Sequence, residues 1–327
     1  MTGGVEMSTS YTHFTTAERE KLLKFLVQGM KQIEIAQELG RSRSSVSREL
    51  KRNSSEAGNY SAFEAEQKYR QRRKRCVRQR RLNNAELKNH VIEKLHNYWS
   101  PEQIDGRLKL KHSPFRISFA TIYRAIHSGE LDIPKKCLRR GGRKPSPHKE
   151  ETRGRLHGHK TIHQRPRAAD TRSQYGHWEG DTVRGAQGKG VVATFVDRRS
   201  GFLVAALMPD RKAKTLTDAA CASFSAFPPS LLRSFTVDNG NEFFGYQDME
   251  ERLNTGVYFA DPYCSWQRGL NENTNGLLRQ YFPKKCDFLA VSPQDFQTVV
   301  HSLNSRPRKR LGFRSPAECF PLKALHH

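Results

Sequence analysis

Residues 176–185, GHWEGDTVRG, and 234–243, SFTVDNGNEF, decide the fold when read with 265–282, SWQRGLNENTNGLLRQYF. Between the first two lie short apolar runs rich in β-branched residues, 190–199 (GVVATFVDRR) and 202–209 (FLVAALMP), joined by Ser200-Gly201. That is the pattern of a β-hairpin. Residues 177–185 precede it as a third strand with Asp181 at its middle. A helical stretch, 212–227, leads to a brief apolar strand, 234–238, which ends at Asp238 and turns at Asn239-Gly240. Residues 267–282 read as a helix on which Glu272, Asn275 and Arg279 share one face. If that face meets the sheet, Glu272 is carried to Asp181 and Asp238.

Carboxylates gathered in this way repel one another, and a divalent cation is their expected partner. Magnesium prefers hard oxygen ligands, and two ions roughly 3.5–4 Å apart can activate an attacking oxygen while stabilising a leaving one. The reading is a two-metal phosphoryl-transfer site held by Asp181, Asp238 and Glu272, with magnesium as cofactor and manganese able to substitute. Taken singly, each acid also reads as an ordinary turn or surface residue. It is their joint placement that points to a metal. Glu179, Asp197 and Asp261 lie nearby and are read as structural or supporting.

A chain of 327 residues has room for two or three domains. Its formal net charge of +24 calls for a polyanionic partner, nucleic acid first. No apolar run approaches the roughly 20 residues of a spanning helix, and no signal-peptide pattern opens the chain. A soluble, cytoplasmic, nucleoid-associated protein with no membrane partner is expected. Six cysteines, without CxxC spacing, suggest neither a disulfide framework nor a zinc ribbon. His157, His159 and His163 read as solvated linker residues.

The N-terminal half reads as DNA-binding modules. Helices over 16–30, 32–39 and 42–52, with small Ala36, turn Gly40 and apolar Val46, suit a helix-turn-helix. Ser42 would cap the third helix, whose outward Arg43, Ser44, Ser45, Ser47, Arg48 and Lys51 suit phosphates and base edges. Residues 68–81, KYRQRRKRCVRQRR, hold nine basic residues and no acid. Through Arg72, Arg73, Lys74 and Arg75 this arm should add salt-sensitive affinity. A second helical unit follows, with a helix start at Ser100-Pro101-Glu102-Gln103 and a short helix over 118–127. It fits a second helix-turn-helix or simple helical packing. Residues 135–167, rich in Arg, Lys, Gly, Pro and His, read as a linker with little core.

The words GHWEGD, TVDNGNEF, DPYCSWQRGLNENTNGLLRQYFPK and LNSRPRKRLGFRSP together resemble the bacterial insertion-sequence transposases of the IS-thirty family, from about Tyr11 to the C-terminus. The resemblance implies a retroviral-integrase-like, RNase H-type α/β core whose Asp-Asp-Glu residues map to Asp181, Asp238 and Glu272. It also implies a basic residue seven positions after the glutamate, here Arg279, which is counted with the catalytic residues and, on the face of Glu272, would lie along the DNA path and position a phosphate. The fold class that follows is α+β and multidomain: a helix-turn-helix domain (1–60), a basic arm (61–83), a second helical unit (84–130), a basic linker (131–170) and the catalytic core (171–327). The implied activity is metal-dependent cleavage and strand transfer at an element's terminal inverted repeats. Its partners would be double-stranded DNA, both element ends and target, and further copies of the chain on that DNA. Two rivals stay open. A DNA-binding regulator without catalysis would make the carboxylates dispensable, and a ribonuclease or structure-specific nuclease with the same core would have no use for a sequence-reading N-terminal module.

Overall fold

A computed structural model of the chain describes residues 12–76, 81–134, 137–139, 159–262 and 264–321. Two compact units emerge, 1–80 and 81–327.

In the first unit, α1 (Thr16–Val27) starts at a capping box in which Thr15 and Glu18 satisfy each other's backbone N–H groups. Next come α2 (Gln32–Glu38), α3 (Arg43–Asn53) and α4 (Ala62–Cys76). Leu22, Ile35, Ala36 and Val46 form the core between them. Gly40 turns the chain from α2 toward α3 at φ +61°, a conformation that side chains with a Cβ resist. Ser42 accepts from the Ser45 N–H at 3.3 Å and so caps α3, as the sequence predicts. Arg19, only 1% exposed, ties α1 to α3 and α4 through Glu49 at 2.8 Å and Glu66 at 2.5 Å.

The second unit opens with α5 (Ala85–His96), α6 (Pro101–Leu110) and α7 (Phe119–His127), packed about Val91, Leu95, Ile104 and Ile122. The capping box predicted at Ser100 and Gln103 is present. These helices are fastened to the C-terminal end of the chain. The Phe313 ring lies where a Cβ on Gly106 would stand, 2.3 Å away, and Arg107 grips Glu318 with two hydrogen bonds of 2.8 and 2.5 Å. The predicted linker packs at its described ends: Leu131, Ile133 and Cys137 join the helical core, and Ile162 is buried. Residues 135–136 and 140–158, with His157, lie outside the described residues.

The rest runs α8 (Arg167–Thr171), β1 (His177–Arg184), β2 (Val191–Asp197), β3 (Leu203–Met208), α9 (Ala213–Phe224), β4 (Ser234–Val237), α10 (Tyr246–Leu253), β5 (Gly256–Phe259), α11 (Gly269–Tyr281), α12 (Pro293–Ser305) and α13 (Pro316–Cys319). The sheet order is β3-β2-β1-β4-β5. The first three strands are antiparallel neighbours, whereas β4 runs parallel to β1 and β5 parallel to β4.

Both faces of the sheet are covered, which is why β2 reads as an unbroken apolar run rather than an alternating one. Trp178, Phe195 and Phe235 meet α9 and α10 on one face, while Val183, Val192 and Val196 meet α11 and α12 on the other. Alternation along β1 sets Glu179 and Asp181 on the α11 face with Val183. The helix predicted over 267–282 begins later, at Gly269, after a 3-10 turn over Ser265–Arg268. Gln267 is held in that turn by paired hydrogen bonds of 2.8 Å to the Asp261 N–H and carboxylate.

Candidate active site

Parallel pairing of β1 with β4 sets Glu179 beside Thr236, so Asp181 and Asp238 each stand two residues further along neighbouring strands. The Asp181 carboxylate is fixed from two sides. Oδ1 accepts the Thr182 N–H at 2.8 Å, and Oδ2 accepts the Asn275 side-chain amide of α11 at 2.9 Å. Asp238 accepts the Gly240 N–H at 3.0 Å, the turn that the Asn-Gly pair predicts.

Between the two aspartates lies the Arg268 guanidinium, 3.6 Å from Asp181 and 3.4 Å from Asp238, with its Nε buried and unpartnered. Burial raises the Asp181 pKa to about 6, Arg268 opposes that shift, and the nearby Asp238 and Glu242 charges add to it. An elevated carboxylate beside a second acid is a site short of positive charge.

Glu272 stands on the first turn of α11, exposed, and no hydrogen bond or ion pair joins it to another described residue. Among the described residues, no three His, Cys, Asp or Glu side chains are grouped closely enough to hold a metal ion as they stand. The donor set nevertheless suits one. The two aspartates bring hard oxygens together around a cation, and the unengaged Glu272 can be added to them. The structure thus joins Asp181 to Asp238 and leaves Glu272 exposed on the helix whose Asn275 and preceding Arg268 reach them.

Arg279 is placed differently from the other candidates. Its guanidinium donates to the Arg184 carbonyl at 2.6 Å and the Pro283 carbonyl at 3.3 Å. Burial lowers its pKa, and no carboxylate contacts it among the described residues.

Several contributors escape a reading of the sequence. Asn271 donates to the carbonyls of Glu179 at 2.8 Å and Thr194 at 3.2 Å, pinning the start of α11 across β1 and β2. Its partner Glu179, the one of these that the sequence reading named as structural or supporting, is fully buried, pairs with Arg198 at 2.5 Å and accepts the Asn271 N–H at 2.9 Å. Glu242, 2% exposed, accepts the Thr182 hydroxyl at 2.8 Å and pairs with Arg211. The available signals were Arg268 lying four positions before Glu272 and Glu242 four after Asp238, spacings too common to single out.

In the N-terminal unit, Arg43, Ser44, Ser47, Arg48 and Lys51 are exposed along α3, with Arg48 reaching back to the Ser44 carbonyl at 3.1 Å. Ser45 is half-buried against the Ser42 cap. On α4, Arg73, Lys74 and Arg75 are exposed, whereas Arg72 donates to Asn53 at 2.7 Å. Residues 77–80 of the basic arm lie outside the described residues.

Residues 10–53 match the family described as a helix-turn-helix domain, and residues 171–265 match the integrase core domain. The chain therefore combines an N-terminal helix-turn-helix with an integrase-type core in an α+β architecture. The transposase InsI of insertion sequence element IS30A from Escherichia coli (strain K12) is 36% identical over 333 residues, covering 97% of this chain and 86% of that protein. The transposase of insertion sequence element IS4351 from Bacteroides fragilis is 34% identical over 313 residues, covering 94% and 95%. Among solved structures, the catalytic core domain of BIV integrase aligns with a TM-score of 0.36 and 18% identity, covering 46% of this chain and 96% of that one.

Proposed function

We infer the chemistry from one premise, that the chain belongs to the IS30 (IS-thirty) family of insertion-sequence transposases. It is a DNA-binding transposase that cuts and joins DNA strands. The observation that carries the assignment of residues is the meeting of Asp181 and Asp238 on adjacent parallel strands around a cation, beneath the helix that bears Glu272.

Asp181, Asp238 and Glu272 would hold divalent metal, two magnesium ions with manganese able to substitute. Bound there, the metal supplies Lewis acidity toward the attacking and leaving oxygens of a phosphodiester. The protein's own work is positional. Asn275 and the Thr182 N–H fix the Asp181 rotamer, and Arg268 offsets the repulsion between the two aspartates. Glu242, paired with Arg211, holds Thr182 in place.

At an element end, water attacks the terminal phosphodiester and frees a 3′-hydroxyl. That hydroxyl then attacks a target phosphodiester, so one bond forms for each one broken and no nucleotide cofactor is needed. Residues 1–60 would read the terminal inverted repeats through α3, with the arm over 61–83 adding phosphate contacts. Residues 84–130 and 131–170 would form the second helical unit and basic linker ahead of a core over 171–327. Joining two ends calls for at least two copies on the DNA. No helix among the described residues is long and apolar enough to cross a membrane, and work on chromosomal DNA would place the chain in the cytoplasm at the nucleoid.

The test is Asp238→Asn, which removes a metal-ligand charge and keeps its volume. Magnesium-dependent cleavage of a labelled element end should be lost while a gel shift on the same DNA stays near normal. Retained cleavage would remove Asp238 from the site.

A further inference from the structure

α11 forms a wall with a different chemistry on each side. At about 100° per residue, Arg268 and Asn275 fall to one side of Glu272 and Gly269 and Asn273 to the other. The first side meets the aspartates. The second lines a cleft of about 710 Å3 between the helical part of the unit and the C-terminal segment. Six cations line that cleft, Arg139, Arg172, Arg306, Arg308, Lys309 and Arg310, against the single carboxylate of Glu102.

What neutralises these cations decides their meaning. Elsewhere in the chain a buried arginine has an acid: Arg19 has Glu49 and Glu66, Arg198 has Glu179, and Arg165 has Asp170. In the cleft the partners are neutral. Arg306, 1% exposed, donates to the amide oxygens of Gln103 at 3.0 Å and Gln280 at 2.7 Å. Arg308 donates one nitrogen to the Leu303 carbonyl at 2.9 Å, and its other, Nη1, is buried without a partner. Arg310 donates to the Arg199 carbonyl at 2.9 Å, and Arg139 to Asn273.

Burial, then repulsion from Arg306, Arg310 and Arg139, brings the Arg308 pKa down to about 9. The guanidinium is still charged at neutral pH. Arg306 and Arg308 have no acid beside them among the described residues, and positive charge sunk into the cleft in this way is set for an anion from outside. The planar donor fork of arginine matches a phosphodiester.

We propose that this cleft is a phosphodiester-binding site in which Arg308, with Arg139 and Arg310, holds the backbone of a DNA strand that crosses α11 at Glu272. The inference rests on the DNA strand-transfer reading and assigns the cleft as the track by which a strand leaves or enters the carboxylates. Element end and target DNA share this chemistry, and the experiment separates them.

Full-length protein is titrated in EDTA, across a salt series, with a labelled element-end duplex. The end-loaded complex is then titrated with a labelled target duplex. Arg308→Gln should weaken at least one of the two bindings roughly five- to tenfold and lower the slope of log affinity against log salt by about 0.9, the value for one phosphate contact. Arg308→Lys should restore the slope and part of the affinity. A loss confined to the first titration assigns the strand to the element end, and one confined to the second assigns it to the target. Arg139→Gln, exposed at the cleft, carries the same expectation should Arg308→Gln fold poorly. Unchanged affinity and slope in both titrations for a folded Arg308→Gln protein, or for Arg139→Gln in its place, would overturn the proposal. With no metal present no strand is cut, so both titrations read DNA binding separately from the carboxylate chemistry.

Discussion

The chain sets one arginine between two carboxylates twice, with opposite results. In the N-terminal unit Arg19 meets Glu49 at 2.8 Å and Glu66 at 2.5 Å, and its side chain is 2% exposed. In the core Arg268, its side chain 10% exposed, stands 3.6 Å from Asp181 and 3.4 Å from Asp238, whose side chains are 21% and 19% exposed against 10% and 16% for Glu49 and Glu66. The first arrangement is closed: short charge-assisted bonds use up the acceptors and lock three helices. The second is open, an electrostatic truce at the outer edge of hydrogen-bond distance. The same three charges can thus be structural cement or a held-open binding site. Distance and exposure separate the two.

The comparison breaks first if Arg19 can be lost cheaply. Arg19→Met should destabilise residues 1–80 by about 3–5 kcal/mol, the cost of leaving buried acids without their cation. Urea unfolding followed by circular dichroism would show it, and specific binding to the element end should fall with the fold. Arg268→Met should cost less, about 1–2 kcal/mol in the same measurement, since Arg268 is buried but its pairings are long.

Asp181 sharpens the contrast through pH. Its folded pKa, near 6, is above the usual 3.8, so the folded protein binds this proton more tightly than the unfolded chain does. Ionising Asp181 therefore costs stability as pH rises from about 4 to about 6, and the whole cost persists above that. Asp181→Asn removes it. The variant should match wild type in melting temperature near pH 4 and gain on the order of 1–2 kcal/mol at pH 8, while losing cleavage. A variant less stable than wild type at pH 8 would mean that Arg268 binds Asp181 as tightly as Glu49 binds Arg19.

Arg268→Gln addresses the truce directly. Removing the cation between the aspartates should tighten manganese binding to the DNA-free protein at pH 8 by about three- to tenfold, read by calorimetry or by the signal of the free ion. Weaker binding would show that Arg268 organises the aspartates rather than competing for them.

How much of this was legible depended on whether a feature is local. The strand over 177–185 ahead of the hairpin placed Asp181, the Asn239-Gly240 turn placed Asp238, and the spacing of Glu272, Asn275 and Arg279 on one helix face placed the Glu272 helix. Each signal lies within a dozen residues. Ser42, Ser100 and their caps were equally local, and all are seen. Arg268 was not legible as the aspartates' counter-ion, because its role depends on where α11 starts, and that start is set by the bonds between Gln267 and Asp261. Nor was the docking of α6, whose Arg107 finds Glu318 211 positions away. β5 and α10 complete the sheet without a distinctive pattern of their own. The arginine cleft assembles from residues near 139, 172 and 308, so no window of sequence contains it.

Arg279 is where helical periodicity and side-chain geometry part. Its Cα shares a face with Glu272, and that shared face led to the expectation of a DNA-positioning role. In the structure, however, the guanidinium spans from α11 to the end of β1, bonded to the Arg184 and Pro283 carbonyls. Arg279→Ala should therefore act as the loss of a strand-to-helix tie: about 1–2 kcal/mol of stability from two hydrogen bonds to a charged group, and only a few-fold in single-turnover strand transfer at saturating magnesium. Lysine would retain the charge but reach only one of the two carbonyls, so Arg279→Lys should fall between wild type and alanine in melting temperature. If Arg279→Ala instead melts like wild type and loses strand transfer a hundredfold, the guanidinium leaves those carbonyls for a phosphate when DNA is bound, and Arg279 belongs with the open arrangement of Arg268 rather than with the closed one of Arg19.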